Sequence, residues 1–392
     1  MAVNLTNADS ALKSVYLDVI TEQLNTYVNP FLAAIQKSTN DVWGKEIRKL
    51  AINGINGGIG AGTEDGDLPT ATGNNYSQMV CTLKNLYGVI EISDKAIRAS
   101  ENNSGAFVSL LTAEMEGLIK SSTFNFGRML FGDGSGKLSE VKGIAAGKIT
   151  VSNCENFVEG MLVDFRNASG VIISGVGARR VTKINRATKS IYVSGASFDV
   201  SVVPVGSIIT VQGSYQNEIT GLGAIFNTKN PTLYGLSRDE NPWLNPYVRE
   251  YTGSLSEGCI QKALDCIEEN SGSQVNLILC SMGVRRTIQE FLSYGRRSFD
   301  TMELVGGYKA MSYNGIPIVA DRFCPEGTMY LLNTNDFTLH QLCDWQWLEG
   351  DDGRVLKQVA GKPVYTATLV KYADLICSRP NGQGIITGID EI

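Results

Sequence analysis

Residues 104–131, SGAFVSLLTAEMEGLIKSSTFNFGRMLF, form the stretch that decides the fold of this chain. Its apolar side chains recur every three or four residues, which is the spacing of one stripe along an α-helix. At about 1.5 Å per residue, a helix over the whole stretch is about 40 Å long, whereas the average helix has about 11–12 residues. The stripe consists of Phe107, Leu111, Met115, Leu118, Ile119, Phe126, Met129 and Leu130.

The residues at the two ends of this stretch fit a helix boundary. Ser104 is of the type that caps a helix start. The run from Gly132 to Gly136 is predicted to end the helix, because glycine readily takes the left-handed conformation found there. Gly117 weakens the middle of the helix and predicts a bend. An ordinary long core helix has the same periodicity, so the periodicity alone does not indicate a particular fold. The flanking sequence decides how this helix is interpreted.

Composition indicates a folded protein of two or three lobes. The chain has 392 residues, of which 43% are hydrophobic and 19% charged. The formal net charge of −6 argues against a general nucleic-acid binder. No signal peptide and no apolar run of about 20 residues is present, so no membrane segment is expected. The eight cysteines lack C-x-x-C spacing and are predicted to be reduced core residues of a protein made in a cytoplasm.

The N-terminal part of the chain reads as an arm followed by a long ribbon. An amphipathic helix is predicted from Asp9, within an arm of residues 1–44. Residues 45–92 are predicted to form a two-stranded ribbon, with a strand at 45–54 and a single return strand at 76–93. The glycine-rich, polar tip between them cannot form a core. It is expected either to reach another subunit or to be a disordered surface loop.

Residues 144–221 have a different pattern and predict an inserted all-β domain. Short strands recur with glycine turns between them, which indicates a small barrel or sandwich. The predicted strands are KITVS, GMLVDFRN, GVIISGV, RRVTKINR, KSIYVSG and GSIITVQG.

The remaining residues are predicted to be mixed α/β. Within 222–344 we expect helices from Ser254 or Ser256 to Asn270 and from Val284 to Tyr294, and strands VNLILC, GIPIVA and TMYLLN. Residues 345–380 are predicted to form a ribbon that turns at Asp351-Asp352-Gly353.

Patterns that indicate catalysis are weak throughout. The single histidine, His340, lies in an alternating strand segment and is predicted to be structural. GDGSGKL (132–138) does not have the spacing of a phosphate-binding loop, and GGIGAG (57–62) lacks the third glycine of a dinucleotide site. We therefore predict no catalytic residue, metal or cofactor, and an enzyme is the weaker hypothesis.

Charged clusters are candidate contacts between subunits, and for the acidic cluster the favoured alternative is a set of solvated turn residues, because the calcium-loop pattern is absent. Glu64, Asp65 and Asp67 lie in the ribbon tip, and Arg285-Arg286 and Arg296-Arg297 are the densest basic pairs. On a chain of net negative charge, these arginines fit salt bridges between subunits better than nucleic-acid binding. The four arginines and the three acidic residues are our candidate assembly residues. The candidate core of the long helix consists of Phe107, Leu111, Met115, Leu118 and Phe126.

The order of these parts resembles the major capsid proteins of tailed bacteriophages, whose Hong Kong 97-type fold is shared with encapsulins. YSQMVCTLKNLYGVIEISDKAI (76–97) and the helix after it are similar to the return strand of the family's extended loop and its spine helix. NGIPIVADRFCPEGTMYLLNTNDFTLHQ (314–341) is similar to a strand pair of the family's axial domain.

The resemblance implies an α+β capsid fold with a defined division. It implies an N-terminal arm (1–44), an extended loop (45–92), an inserted β-barrel-like domain (144–221) and an axial domain (222–344). Residues 93–143 and 345–392 would form the peripheral domain with the spine helix.

The resemblance also implies a structural, non-catalytic function. Copies would self-assemble as hexamers and pentamers into the icosahedral shell of a viral head, built in the host cytoplasm. Expected partners are other copies, a scaffolding protein, a portal, decoration or head-completion proteins, and double-stranded DNA by non-specific proximity. An encapsulin-like protein compartment is the alternative, and a monomeric carbohydrate- or polymer-degrading enzyme with an accessory β domain is a third reading.

Overall fold

The computed structural model describes residues 29–39, 42–44, 46–96, 104–145, 147–253, 255–294, 301–303, 309–350, 353 and 355–391. The helix predicted from Asp9 and the turn at Asp351-Asp352 lie outside these residues. No helix in the described part of the chain combines the length and the apolar character needed to cross a membrane.

Five α-helices are described, and the second confirms the long helix predicted from the apolar stripe. It is continuous over 28 residues and ends before the glycine run, where Gly134 and Gly136 have φ of +81° and +75°. The helices are α1 Pro30–Ala34, α2 Ser104–Phe131, α3 Leu222–Phe226, α4 Glu257–Ser271 and α5 Met282–Tyr294. Three short 3-10 helices span Pro242–Leu244, Thr334–Asp336 and Pro380–Gly382.

The strands account for most of the remaining regular structure. They are β1 Gln36–Ser38, β2 Val42–Trp43, β3 Glu46–Asn53, β4 Asn75–Thr82, β5 Lys84–Ser93, β6 Lys137–Ala145, β7 Lys148–Val151, β8 Leu162–Arg166, β9 Arg179–Asn185, β10 Ser190–Val193, β11 Ile208–Val211, β12 Thr232–Leu233, β13 Leu236–Ser237, β14 Tyr247–Gly253, β15 Leu277–Cys280, β16 Thr301–Glu303, β17 Lys309–Tyr313, β18 Ile316–Ala320, β19 Met329–Leu332, β20 Phe337–Trp347, β21 Lys357–Gln358, β22 Val364–Cys377 and β23 Gly384–Ile389.

The predicted return strand at 76–93 is wrong in one respect, because the structure contains two strands there instead of one. β4 pairs with β3 in the ribbon, and β5 pairs with β22 in a separate five-stranded sheet. The break falls at Leu83, which is buried. The ribbon therefore extends directly from an edge of the sheet that packs on α2.

A seven-stranded mixed sheet forms the second large layer, in the order β14-β23-β19-β15-β18-β17-β16. Its strand β15 is buried along its whole length, and it forms the last four residues of the predicted strand VNLILC. GIPIVA and TMYLLN form strands β18 and β19 as predicted. Apolar residues of α4 and α5 pack with this sheet in a hydrophobic cluster of its own.

A closed barrel of six strands is inserted between α2 and α3, in the order β10-β7-β6-β11-β8-β9. It has its own hydrophobic core, which includes Phe157, Phe165 and Ile209. The predicted strand at 170–176 is wrong: it forms only a bridge from Ile172 to Arg166. Glycines in left-handed conformations interrupt the extended backbone there, at Gly170 and Gly175.

The first barrel strand was not predicted. β6 starts at Lys137, ahead of the domain boundary predicted at 144, and pairs with both β7 and β11. Because it has a partner on each side, this strand is needed to close the barrel.

Candidate functional site

The ribbon of β3 and β4 has two faces of different character. The strands pair antiparallel from Glu46–Thr82 to Asn53–Asn75. Alternate side chains therefore point to opposite faces. The inner face carries Ile47 and Met79, which are completely buried in the main hydrophobic core.

Near the tip, the outer face of the ribbon carries apolar side chains that are open to solvent, while Arg48 and Gln78 on the same face are polar and exposed. Leu50 and Ile52 are 61% and 62% exposed, and Tyr76, the strand partner of Ile52, is 59% exposed. Sequence reasoning missed these residues as candidate contacts. The signal was the segment Leu50-Ala51-Ile52, where consecutive apolar side chains place apolar surface on both faces of one strand.

The tip of the ribbon, residues 54–74, carries the three predicted acidic residues. Glu64, Asp65 and Asp67 are all exposed, as are the apolar side chains of Ile59 and Leu68. The tip contains no lysine or arginine. A hydrogen bond joins the two sides of the tip close to the ends of β3 and β4, where Thr72 Oγ1 donates to Asn56 Oδ1 at 3.2 Å.

The base of the ribbon is fixed to the body of its own chain. The backbone N–H of Val80 donates to the carbonyl oxygen of Tyr234 at 2.9 Å, and Ser77 Oγ donates to Asn241 Oδ1 at 3.4 Å. The Tyr234 hydroxyl in turn accepts from the N–H of Cys377 in β22. The ribbon therefore projects from a fixed base while its outer face and tip are open.

The core residues predicted on α2 are placed as follows. Met115 and Phe126 are buried, and Leu118 is half-buried against the main core. The side chains of Phe107 and Leu111 lie outside the described residues. Leu118 also packs close to Gly88 of β5: a methyl group added at Gly88 would lie 3.0 Å from Leu118 Cδ1.

Among the described residues, Arg285 and Arg286 form no ion pair with the acidic tip of their own chain. Arg285 and Arg286 lie on the exposed side of α5, next to the seven-stranded sheet, while Glu64 and its acidic neighbours lie on the ribbon tip. Arg296 and Arg297 lie outside the described residues.

Asp374 and His340 are polar residues buried in the body of the chain. Burial raises the pKa of Asp374 to about 6, against hydrogen bonds from the N–H groups of Thr220 and Leu375 that lower it. His340 is buried, and all eight cysteines are free thiols. No group of three or more His, Cys, Asp or Glu side chains that could hold a metal occurs among the residues that were described.

Comparison with solved structures identifies this architecture over nearly the whole chain. The cyanophage A-1(L) capsid superposes with a TM-score of 0.54 over 92% of this chain and 93% of that chain, at 12% sequence identity. The chain has the fold of this phage capsid protein. The α+β capsid fold predicted from the order of its parts is confirmed.

A further structural neighbour is the encapsulin complex from Synechococcus elongatus, with a TM-score of 0.47 at 9% identity, over 95% of each chain. No protein-family model matches the sequence, and the search of curated proteins gives no match.

Proposed function

We propose that this chain is the major capsid protein of a tailed bacteriophage, and that its copies assemble into the icosahedral shell around the genome. The observation that carries the proposal is the capsid fold over nearly the whole chain, combined with a ribbon whose outer face carries exposed apolar side chains. In this role the chain is structural, and it needs neither a catalytic residue nor a cofactor.

The ribbon is the physical basis of the proposal. A two-stranded ribbon is marginally stable in water unless it lies on a surface. Here one face lies on the chain's own core, while Leu50, Ile52 and Tyr76 form an apolar patch on the other face without cover from the described residues. A second copy that covers this face removes apolar surface from water at about 25 cal/mol per Å². Repetition around a closed shell multiplies this small gain per contact.

The segments of the chain are assigned roles within this proposal. The ribbon, within residues 45–92, is the extended loop that lies across an adjacent subunit. Residues 93–143 and 345–392 form the peripheral domain, and residues 222–344 form the axial domain around the five-fold and six-fold axes. The arm of residues 1–44 and the candidate residues Arg285, Arg286, Arg296 and Arg297 contribute further contacts between subunits.

The partners in this proposal follow from a shell. Copies associate as hexamers and pentamers, with a scaffolding protein and a portal during assembly in the host cytoplasm, and with decoration or head-completion proteins afterwards. The packaged double-stranded DNA lies near the shell but is not bound tightly, since a chain of net charge −6 repels phosphate. The mature protein is located in the virion.

Assembly of the full chain tests this function. The chain is expressed with its scaffolding protein, and the products are followed by light scattering and negative-stain electron microscopy. We expect closed particles of uniform diameter. A species of single-chain mass at high protein concentration, with scaffolding protein present, would overturn the proposal.

The contents of the particles distinguish a virion shell from a protein compartment. Particles isolated from infected cells are treated with nuclease and then assayed for protected DNA. Protected double-stranded DNA is the expected result. Particles that contain a cargo enzyme and no nucleic acid would identify the shell as an encapsulin-like compartment.

A further inference from the structure

A cleft of about 900 Å³ separates the inserted barrel from the long helix. Its floor is formed by α2 and β5, and its second wall by residues 158–162 and 211–212 of the barrel, with Arg322 at one end. The barrel is thus necessary for the shape of this cleft. None of the tip residues 54–74 lines the cleft of its own chain.

The floor of the cleft is apolar and open. Leu118 is half-buried and Val89 is 58% exposed, and Leu162 of the barrel wall is 45% exposed. A methyl group added at Gly117 would meet no atom within 4 Å, so the helix surface faces empty space at this point. A cleft with such a floor gains stability when another apolar segment fills it.

The rim of the cleft is positively charged. Arg180, Arg186, Lys120 and Arg322 are all exposed, and none of them forms an ion pair within the described part of the chain. Two carboxylates, those of Glu114 and Glu159, also line the cleft, so four cations minus two anions leave a local excess of +2.

Two of these cations lie close to other residues that line the cleft. The Arg322 guanidinium carbon lies 4.9 Å from the centre of the Phe124 ring, which also lines the cleft, and this is a cation–π distance. Arg180 lies over the backbone of Gly160, where an added methyl group would come within 3.6 Å of Nη2. The positive charge therefore sits beside the apolar floor.

The ribbon tip has the complementary character. It carries Glu64, Asp65 and Asp67 and no cation, and its side chains Ile59 and Leu68 are 75% and 91% exposed. An exposed ion pair contributes about 1 kcal/mol or less, so apolar contact supplies affinity while charge sets orientation and partner.

We propose that the ribbon tip of one copy docks in the cleft between the barrel and the long helix of a second copy, with its three carboxylates facing the cationic rim. This inference rests on the proposed shell function and deepens it by naming the contact surface. It also gives the inserted barrel a role, because the barrel supplies one wall of the docking site.

Charge reversal in the full chain tests the docking. The tip variant carries Glu64→Lys, Asp65→Lys and Asp67→Lys, and the cleft variant carries Arg180→Glu and Arg186→Glu. Each variant is expected to lower the particle yield about tenfold, which corresponds to about 1.4 kcal/mol. A chain with both sets of changes is expected to recover most of the yield, since the complementary charges are restored with opposite sign.

The control reverses two exposed lysines that do not line the cleft. Lys183→Glu with Lys229→Glu changes the net charge by the same amount as the cleft variant. We expect this control to assemble like the unmodified chain. Normal assembly of the cleft variant, or failure of the combined chain to recover, would overturn the docking proposal while the unmodified chain still forms particles. Absence of particles from the unmodified chain would instead overturn the shell function.

Cross-linking identifies the segment that occupies the cleft. Particles assembled from a mixture of ¹⁴N- and ¹⁵N-labelled copies are treated with a carbodiimide, which joins amines to carboxylates in contact. We expect mixed-label peptides that join Lys120 to Glu64, Asp65 or Asp67. Mixed-label peptides that join Lys120 only to carboxylates elsewhere would show a different occupant and overturn the proposal.

Discussion

Arg128 donates a hydrogen bond through Nη2 to Oε1 of Glu218, ninety positions further along the chain. Arg128 lies in the last turns of α2, before the barrel begins, and Glu218 follows the last barrel strand. The two side chains are only 4% and 2% exposed, and Arg128 Nη2 also donates to Asn125 Oδ1 at 2.7 Å. This buried ion pair therefore joins the two ends of the inserted barrel.

Breaking this pair on one side is expected to be costly. Arg128→Met leaves the Glu218 carboxylate buried without its cation, and we expect the free energy of unfolding to fall by about 3–5 kcal/mol. The measurement is denaturant unfolding of the unassembled subunit. Replacing both residues, Arg128→Met with Glu218→Leu, removes both charges together and is expected to restore most of the loss. Equal instability of the single and double variants would show that the charges themselves are not the cause.

The outer face of the ribbon is predicted to matter for assembly and not for folding. Leu50→Ser with Ile52→Ser removes apolar side chains that are already in water, so the unfolding free energy of the subunit is expected to change by less than about 0.5 kcal/mol. Particle yield in the light-scattering assay is expected to fall strongly, because the face covered by a second copy becomes polar.

The matched control for this prediction lies on the other face of the same strand. Ile47 is completely buried, and Ile47→Ser is expected to destabilise the subunit by several kcal/mol. If the outer-face variant destabilised the isolated subunit as much as Ile47→Ser does, the outer face would be part of the chain's own core.

Two glycines of the central region are predicted to respond to alanine in opposite directions. At Gly221, a methyl group would lie 2.6 Å from the carbonyl oxygen of Gly132 and 2.7 Å from that of Leu130. These are backbone atoms near the end of α2, so Gly221→Ala is expected to cost about 3 kcal/mol or more. At Gly117 the space is open, and Gly117→Ala is expected to stabilise the helix by about 0.5–1 kcal/mol. Thermal unfolding of both variants compares the two effects.

The buried carboxyl group of Asp374 predicts a specific pH dependence. Burial raises its pKa to about 6, above the ordinary value of 3.8, so the folded state favours the protonated form. Its contribution to stability is fully present below about pH 4 and is lost as the pH rises through 6, by about 3 kcal/mol. Unfolding of the subunit at a series of pH values measures this loss.

Asp374→Asn is the matched variant for the pH series. The amide oxygen keeps the acceptor for Thr220 and Leu375, while the amide group does not ionise. We expect a shallower fall in stability between pH 4 and 8 than in the unmodified chain. Identical pH profiles for the two chains would assign the titration to another group.

The long helix and the barrel could be predicted to different degrees. The helix was predictable because its apolar stripe and the glycines after it are local signals. Five barrel strands have the same kind of local signal. The first strand, β6, follows the glycine loop with a mixed polar sequence, and its pairing with β11 joins residues far apart, such as Ile208 and Glu140. Pairing of that kind has no signature within a short window of sequence.

The cleft beside α2 was beyond prediction for the same reason, whereas the division of the return strand after Leu83 had a local signal that the prediction missed. The apolar alternation changes phase there, from Met79, Cys81 and Leu83 to Leu86, Ile90 and Ile92, and this shift marks the boundary between β4 and β5, which belong to different sheets. The cleft brings Lys120, Arg180 and Arg322 together from the helix, the barrel and the seven-stranded sheet region. Only the acidic half of the proposed contact, the tip, is contiguous in sequence.

The position of the last two strands has a consequence for biosynthesis. β22 lies between β5 and β20, and β23 lies between β14 and β19, so both large sheets need residues 364–389 to be complete. The barrel needs only residues 137–211 and can therefore fold on the ribosome while later segments are still being translated. Until translation passes these last strands, the unfinished subunit exposes unpaired strand edges, which are the surfaces that promote aggregation.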